Sequence, residues 1–326
     1  MSRNTWIVLA LLGVLAPFVI YPVFAMEMLC FALFAAAFNL LLGYGGLLSF
    51  GHAAFFGSGA YLCGVAARDW GLTPELSILL GGVAGLVLGL AFGLVAIRRQ
   101  GIYFAMVTLA LAQIVFFVAL KTPVTGGEDG LQGIPQGKVF GLIDLATTYE
   151  VAGQSLPLNL YYFVFAVFAA CLWLIYRTVN SPYGQVMAAV RENEPRALSL
   201  GYRVDRYKLG LFVMSAGLAG VAGATKAIVM QLASLTDVSW QMSGEVVLMT
   251  LLGGMGTITG PVLGAAIVRW LHNQLAALGA TSADLSPLLK IFLSVNVVIG
   301  LIFIASVLLF RRGIVGELGR LFKRSF

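Results

Sequence analysis

Apolar residues in this chain run on for about twenty positions at a time and are cut by short charged islands, with no strand-like alternation to polar residues. A run of about 20 apolar residues is the length of an α-helix that crosses a hydrocarbon layer of about 30 Å. The runs predicted as spans are Trp6–Ala25, Met26–Leu48, Leu76–Ile97, Gly101–Leu120, Leu160–Tyr176, Leu209–Leu235, Met242–Ala277 and Leu285–Phe310. The first follows Arg3, holds Pro17 and Pro22 and leads straight into the second, so it is read as an uncleaved span and not a secretory leader.

Two stretches break the pattern with glycine. Asn39–Tyr61 reads NLLLGYGGLLSFGHAAFFGSGAY, and Leu251–Ala266 reads LLGGMGTITGPVLGAA. Each predicts a discontinuous helix, which is tolerated at membrane depth only where protein or a water-filled path satisfies the freed backbone groups. The two share a Leu-Leu-Gly opening, and paired breaks in two halves of a chain point to a site between them. Counting both as crossings gives about ten spans, or eight or nine if either is re-entrant. The expected fold is an all-α integral membrane protein of about 8–10 transmembrane helices, one domain over residues 1–326.

The islands set the orientation. Residues 180–208, NSPYGQVMAAVRENEPRALSLGYRVDRYK, carry Arg191, Arg196, Arg203, Arg206 and Lys208 against Glu192, Glu194 and Asp205. Short basic loops stay on the cytoplasmic side. The pair Arg98 and Arg99 and the basic tail after Arg311 obey the same rule, which places both termini in the cytoplasm. Residues 122–158 are net acidic (Lys138 against Glu128, Asp129, Asp144 and Glu150) and are expected outside. Within the basic island, Gln185–Arg191 and Arg196–Leu200 predict two short helices, the second opened by Pro195 and stopped by Gly201.

Composition agrees: 60% of the 326 residues are hydrophobic and 10% charged, and the mean hydropathy is +0.95. Soluble domains carry about 25% charged residues. The net charge of +6 therefore belongs to topology and not to nucleic-acid binding. Cys30, Cys63 and Cys171 lie apart in apolar spans, without CxxC spacing, and with two histidines they offer no metal site. The chain shows no Walker motif and no nucleophile-plus-base constellation, so an enzyme with its own ATPase site is not expected.

A few polar side chains interrupt the spans. Asn39, Ser49 and His52 sit in the first break, where they either bond across a helix interface or line a pathway. Gln113 is read as a helix–helix hydrogen bond or a pathway residue, and TGGEDG at Thr125–Gly130 as a glycine-rich turn. Lys226 lies two-thirds along its span and either snorkels to the external interface or faces a cavity, where its ammonium would suit a carboxylate. Glu245 is read as the one acidic candidate near a span, before the second break with Gly253 and Gly254; Arg269, His272 and Lys290 are expected at an external interface.

Four motifs in order, NLLLGYGGLLSFGHAAFFGSGAY, GIYFAMVTLALAQ with TGGEDGL, SPYGQVMAAVRENEPRALSLGY and EVVLMTLLGGMGTITGPVLGA, resemble the LivM-type permeases of bacterial branched-chain amino-acid ABC importers. The resemblance runs from about Met26 to Phe310 and implies a permease of the inner membrane. It further implies a homologous LivH-type permease as partner, two cytoplasmic LivG/LivF-type ATPases that hold ATP and Mg²⁺, and a periplasmic substrate-binding protein, with no cofactor on this chain. It makes 180–208 the cytoplasmic coupling loop, with Ala197, Leu200 and Gly201 as an apolar knob and Arg191, Glu192, Glu194 and Arg196 as the charges that fix its docking register. The 122–158 loop becomes periplasmic. Lys226 and the RRGIVGEL ending depart from the family pattern, which leaves the substrate open among branched-chain and related small amino acids or carboxylates. The reading from a different class is an ion-gradient-driven secondary transporter or channel.

Overall fold

The computed structural model describes residues 13–18, 20–151, 154–281 and 313–321, together with 297, 298, 300, 301 and 304. Residues 6–12 of the first expected span, most of the last one and Lys290 lie outside the described residues.

The helices are α1 (Pro22–Asn39), α2 (His52–Arg68), α3 (Pro74–Ala96), α4 (Ile102–Lys121), α5 (Leu158–Val179), α6 (Pro182–Glu192), α7 (Glu194–Ser199), α8 (Val204–Met230), α9 (Trp240–Gly253), α10 (Gly260–Thr281) and α11 (Gly313–Leu321). Proline in the first turn starts α1, α3, α6 and α7, where its missing N–H costs nothing. Among the described residues, five stretches are long and apolar enough to cross a membrane: α1 with the turn that follows it, α3, α4, α5 and α8. This is a multi-pass membrane protein.

Two of those five are interior. The apolar windows of α1 and α8 are 78% buried, whereas those of α3, α4 and α5 are 28–39% buried and present Leu79, Val87, Leu94, Ile114, Phe117 and Trp173 outward. An outward apolar face of that extent suits lipid. Helix α8 is the centre of the bundle and packs on α1, α2 and α3. Its glycines make this approach geometrically available: a Cβ on Gly223 would stand 1.8 Å from the carbonyl oxygen of Phe56, and one on Gly59 would stand 2.2 Å from that of Gly220.

The expected break after α1 is present. The helix loosens into a π turn at Leu40–Tyr44, Gly46 takes φ +68°, and the chain is non-helical until His52 starts α2. The second break is the turn between α9 and α10, with Gly254 at φ +119° and Gly256 at φ +80°. Residues 122–158 depart from the all-helical expectation in detail, since they hold two 3-10 turns and short hairpins. Leu131–Gln132 also pairs antiparallel with Leu232–Ala233 beyond the end of α8. That ladder ties the acidic loop to the bundle. The bundle thus has an acidic face, carrying 122–158, and a basic face, carrying Arg98, Arg99 and residues 180–208.

Candidate functional site

A cavity of about 980 Å³ lies in the acidic half, among α1, α4, α8, α9 and α10. Its polar lining includes Glu27, Gln113, Lys226, Asp237, Glu245 and Arg269. Phe31, Phe116, Trp240 and Leu248 supply apolar wall, and Glu128 of the TGGEDG turn reaches its rim.

Lys226 faces this cavity with a side chain only 12% exposed. Its Nζ donates to both carboxylate oxygens of Asp237 at 2.7 Å. Asp237 is itself buried, and its Oδ2 also accepts the backbone N–H of Ser234, within a capping box that fixes the 3-10 turn Leu235–Val238. Of the two alternatives the sequence left open, Lys226 thus takes the cavity-facing one, with its charge paired to Asp237. A lysine at this depth is tolerated because the chain turns back to bring its own counter-charge.

Arg269 corrects the sequence expectation most plainly. Its side chain is 15% exposed and stands inside the bundle, with Nη2 donating to Glu27, Nη1 at 3.4 Å from Glu245, and the guanidinium 4.2 Å over the ring of Phe31. His272, one turn on, lines the same cavity. Close packing of α9 against α10 places them there, since a Cβ on Gly264 would stand 1.9 Å from the carbonyl oxygen of Met249. Glu245 is accordingly not the one acid near a span. Glu27 and Asp237 share the cavity with it. Glu27 was legible as a carboxylate in the second apolar run, whereas its partner 242 residues away was not.

Other predicted site residues are elsewhere. Ser49 and His52 are fully buried and do not line the cavity. Ser49 Oγ accepts the N–H of Gly51. The ring of His52 is boxed by Phe38, Phe55 and Phe212, and its Nε2 is 2.8 Å from Ser215 Oγ, which donates to the carbonyl of Ala37. The contacts of His52 and Ser215 are cross-helix bonds among α1, α2 and α8. Gly253 and Gly254 also lie off the cavity, and a Cβ on Gly253 would stand 1.9 Å from the Gly260 carbonyl. Their role is to let the second break turn sharply.

Asn39 joins the two breaks. Its Oδ1 accepts the N–H of Gly256 at 2.9 Å and its Nδ2 donates to the carbonyl of Thr257 at 2.8 Å. Arg191, at the end of α6, donates through Nη1 to the carbonyl of Gly43 inside the π turn, and its aliphatic stem lies against Gly46. A π turn leaves backbone carbonyls off the regular ladder, and such turns concentrate at functional sites.

The basic island holds its two helices as expected, each extended toward its proline. Ser181 caps α6 by accepting from Gly184 N, and Asn193 caps α7 by accepting from Arg196 N at 3.1 Å. Gly201, at φ +86°, ends α7 in a Schellman arrangement, with Gly201 N bonded to Leu198 O and Tyr202 N to Ala197 O. Of the residues expected at the docking surface, Ala197 is buried, Glu194 is partly buried, and Arg191 is exposed with its guanidinium bonded within the chain. Ala197 is 4% exposed in a small core with Val190 and Val204. Glu194 bonds Lys208 at 2.7 Å, and Arg191 reaches Gly43. Packing of the two short helices on the start of α8 buries Ala197 and pairs Glu194 with Lys208. Leu200, at 70% exposure, and Leu198, at 54%, form the outward apolar knob, flanked by the exposed Glu192 and Arg196.

A multi-pass bundle with a charged cavity in one half and paired helix breaks below it is the architecture of a membrane permease. The chain belongs to the family described as the branched-chain amino acid transport system permease component, whose model matches residues 23–308. It is 30% identical over 244 residues to the high-affinity branched-chain amino acid transport system permease protein LivM of Salmonella typhimurium, covering 71% of this chain and 57% of that protein. The Escherichia coli protein of the same name is 30% identical over 245 residues, with the same coverage. Sugar permeases match as well: the L-arabinose ABC transporter permease protein AraH of Azospirillum brasilense is 30% identical over 215 residues, 64% of this chain and 59% of that one. The chain spans a little over half the length of these curated relatives. No solved structure matches it significantly.

Proposed function

We propose that this chain is the translocation subunit of an ATP-driven ABC importer for branched-chain amino acids or related small amino acids. A homologous LivH-type permease completes the pathway, two LivG/LivF-type ATPases bind ATP and Mg²⁺, and a periplasmic binding protein delivers the solute to the cavity. In this reading the basic face and both termini are cytoplasmic, residues 122–158 are periplasmic, and residues 180–208 dock on an ATPase.

The observation that carries the proposal is the path from the docking island into the breaks. Arg191 on α6 holds Gly43 in the first break, and Asn39 holds the first break to Gly256 and Thr257 of the second. Displacement of α6 and α7 by an ATPase acts on both breaks at once, beneath the cavity. Coupling of this kind needs an element whose arrangement both sites bias, and the bonded junction is that element. The transport step requires no catalytic group on this chain.

The test is purification of the tagged chain in mild detergent from its host, followed by reconstitution and uptake assays. Recovery of a second permease and two ATPases, with uptake that requires ATP, is the expected result. Uptake by the chain alone, driven by an ion gradient, overturns the proposal in favour of a secondary transporter.

A further inference from the structure

The charges around the cavity do not balance among the described residues. The charge of Lys226 is paired with Asp237, whose two carboxylate oxygens accept from its ammonium. Arg269 alone serves two carboxylates, and the shares are unequal: its contact with Glu27 is close, while Glu245 stands off at 3.4 Å. Glu128 at the rim is exposed to solvent, and inside the cavity the three carboxylates Glu27, Asp237 and Glu245 meet the two cations Lys226 and Arg269, an excess of one negative charge. The wall around them includes Phe31, Phe116, Trp240 and Leu248, so the excess charge lies in a poorly polarisable setting. An incompletely compensated carboxylate in such a setting is costly and attracts a mobile cation. Glu245, loosely held and facing the cavity, is the group that such a cation reaches, beside an aromatic wall suited to an ammonium.

We propose that Glu245 receives the cationic amine of the transported solute, so that the cavity accepts ammonium-bearing solutes and rejects simple carboxylates. This rests on reading the cavity as the place where the solute is taken up. It reverses the sign expected from Lys226 alone: that ammonium is occupied, and the unmet demand in the cavity is for positive charge. A zwitterion satisfies Glu245 with its amine and places its carboxylate toward Arg269, whose Nε is buried with no hydrogen-bond partner among the described residues.

Three probes with the same apolar tail separate the charges: leucine, 3-methylbutan-1-amine and 4-methylpentanoate. Each is titrated calorimetrically into the full chain in lipid nanodiscs, with no ATPase present. Saturable binding of leucine and the amine is expected, with none for the carboxylate. Glu245→Gln is expected to weaken amine binding at least about tenfold, and Glu245→Asp to keep most of it. Binding of 4-methylpentanoate as tight as that of the amine overturns the proposal, and so does absence of saturable binding by any probe. Because the comparison of probes on the unsubstituted chain decides the sign, a variant that fails to fold does not rescue it. Failure to recover ATPases would defeat the importer reading and leave this titration to stand or fall by itself.

Discussion

Arg191 Nη1 donates to the carbonyl of Gly43, and the two residues stand 148 positions apart in the chain. One belongs to a water-facing helix of the basic island and the other to a π turn at the end of an apolar span. A charge-assisted bond to a carbonyl that the helix ladder has released is worth about 1.5–3 kcal/mol. Arg191→Ala in the reconstituted complex is expected to leave ATP hydrolysis largely intact and to cut uptake at least about tenfold, a ratio that comparison of the two rates measures directly. Equal loss of both rates would assign Arg191 to assembly instead.

Docking and folding of the basic island separate by substitution. Leu200→Asp changes a residue that is 70% exposed, so the chain is expected to insert and melt as before while losing the copurifying ATPases. Ala197→Asp puts a carboxylate into the small core with Val190 and Val204 and is expected to lower the melting temperature as well. Thermal melts of both variants, beside ATPase recovery, make the comparison. Identical behaviour of the two would mean that Ala197 meets the partner after all.

Removing Lys226 alone strands the buried Asp237. Lys226→Met is expected to destabilise the chain by about 3–5 kcal/mol, the cost of leaving one partner of a buried pair uncompensated. Lys226→Met combined with Asp237→Asn is expected to recover most of that loss. A double-mutant cycle in detergent, read by thermal or denaturant unfolding, gives the coupling. Additive losses would show that the two side chains do not rely on one another.

Gly223→Ala tests the central helix. The added methyl would stand 1.8 Å from the Phe56 carbonyl, so α2 and α8 must separate. Overpacking of this order costs about 1–3 kcal/mol, to be read as a lower melting temperature in detergent. Gly244→Ala, at a position with open space around it, is the matched control and is expected to be silent.

Much of the architecture was already legible. The apolar runs gave α3, α4 and α5 nearly to the residue, and the glycines marked both breaks. The same runs left side-chain roles undecided. Ser49 and His52 read equally as helix-interface bonds or pathway linings, because a polar group at membrane depth fits either. In the folded chain Ser49 accepts the N–H of Gly51, His52 bonds Ser215 of α8 across the helix interface, and Gly253 lets α9 and α10 touch. Ala197 read as an exposed knob because its neighbours are charged, yet its own position on the helix turns it inward. Leu198, one residue on, is the exposed one.

The sequence by itself determined that this is a multi-pass helical membrane protein, where most of its helices run, which loops carry charge and that two helices are broken. Those properties follow from hydropathy, chain length and glycine geometry, all of which act over about twenty neighbouring residues or fewer. Tertiary structure alone decided which charges meet. Glu27 with Arg269, Lys226 with Asp237, Asn39 with Gly256, and Arg191 with Gly43 are each set by how closely glycine-bearing helices pack and in what rotation. A charge buried in lipid must find its partner wherever the bundle brings one, and distance along the chain carries no information about that distance in space.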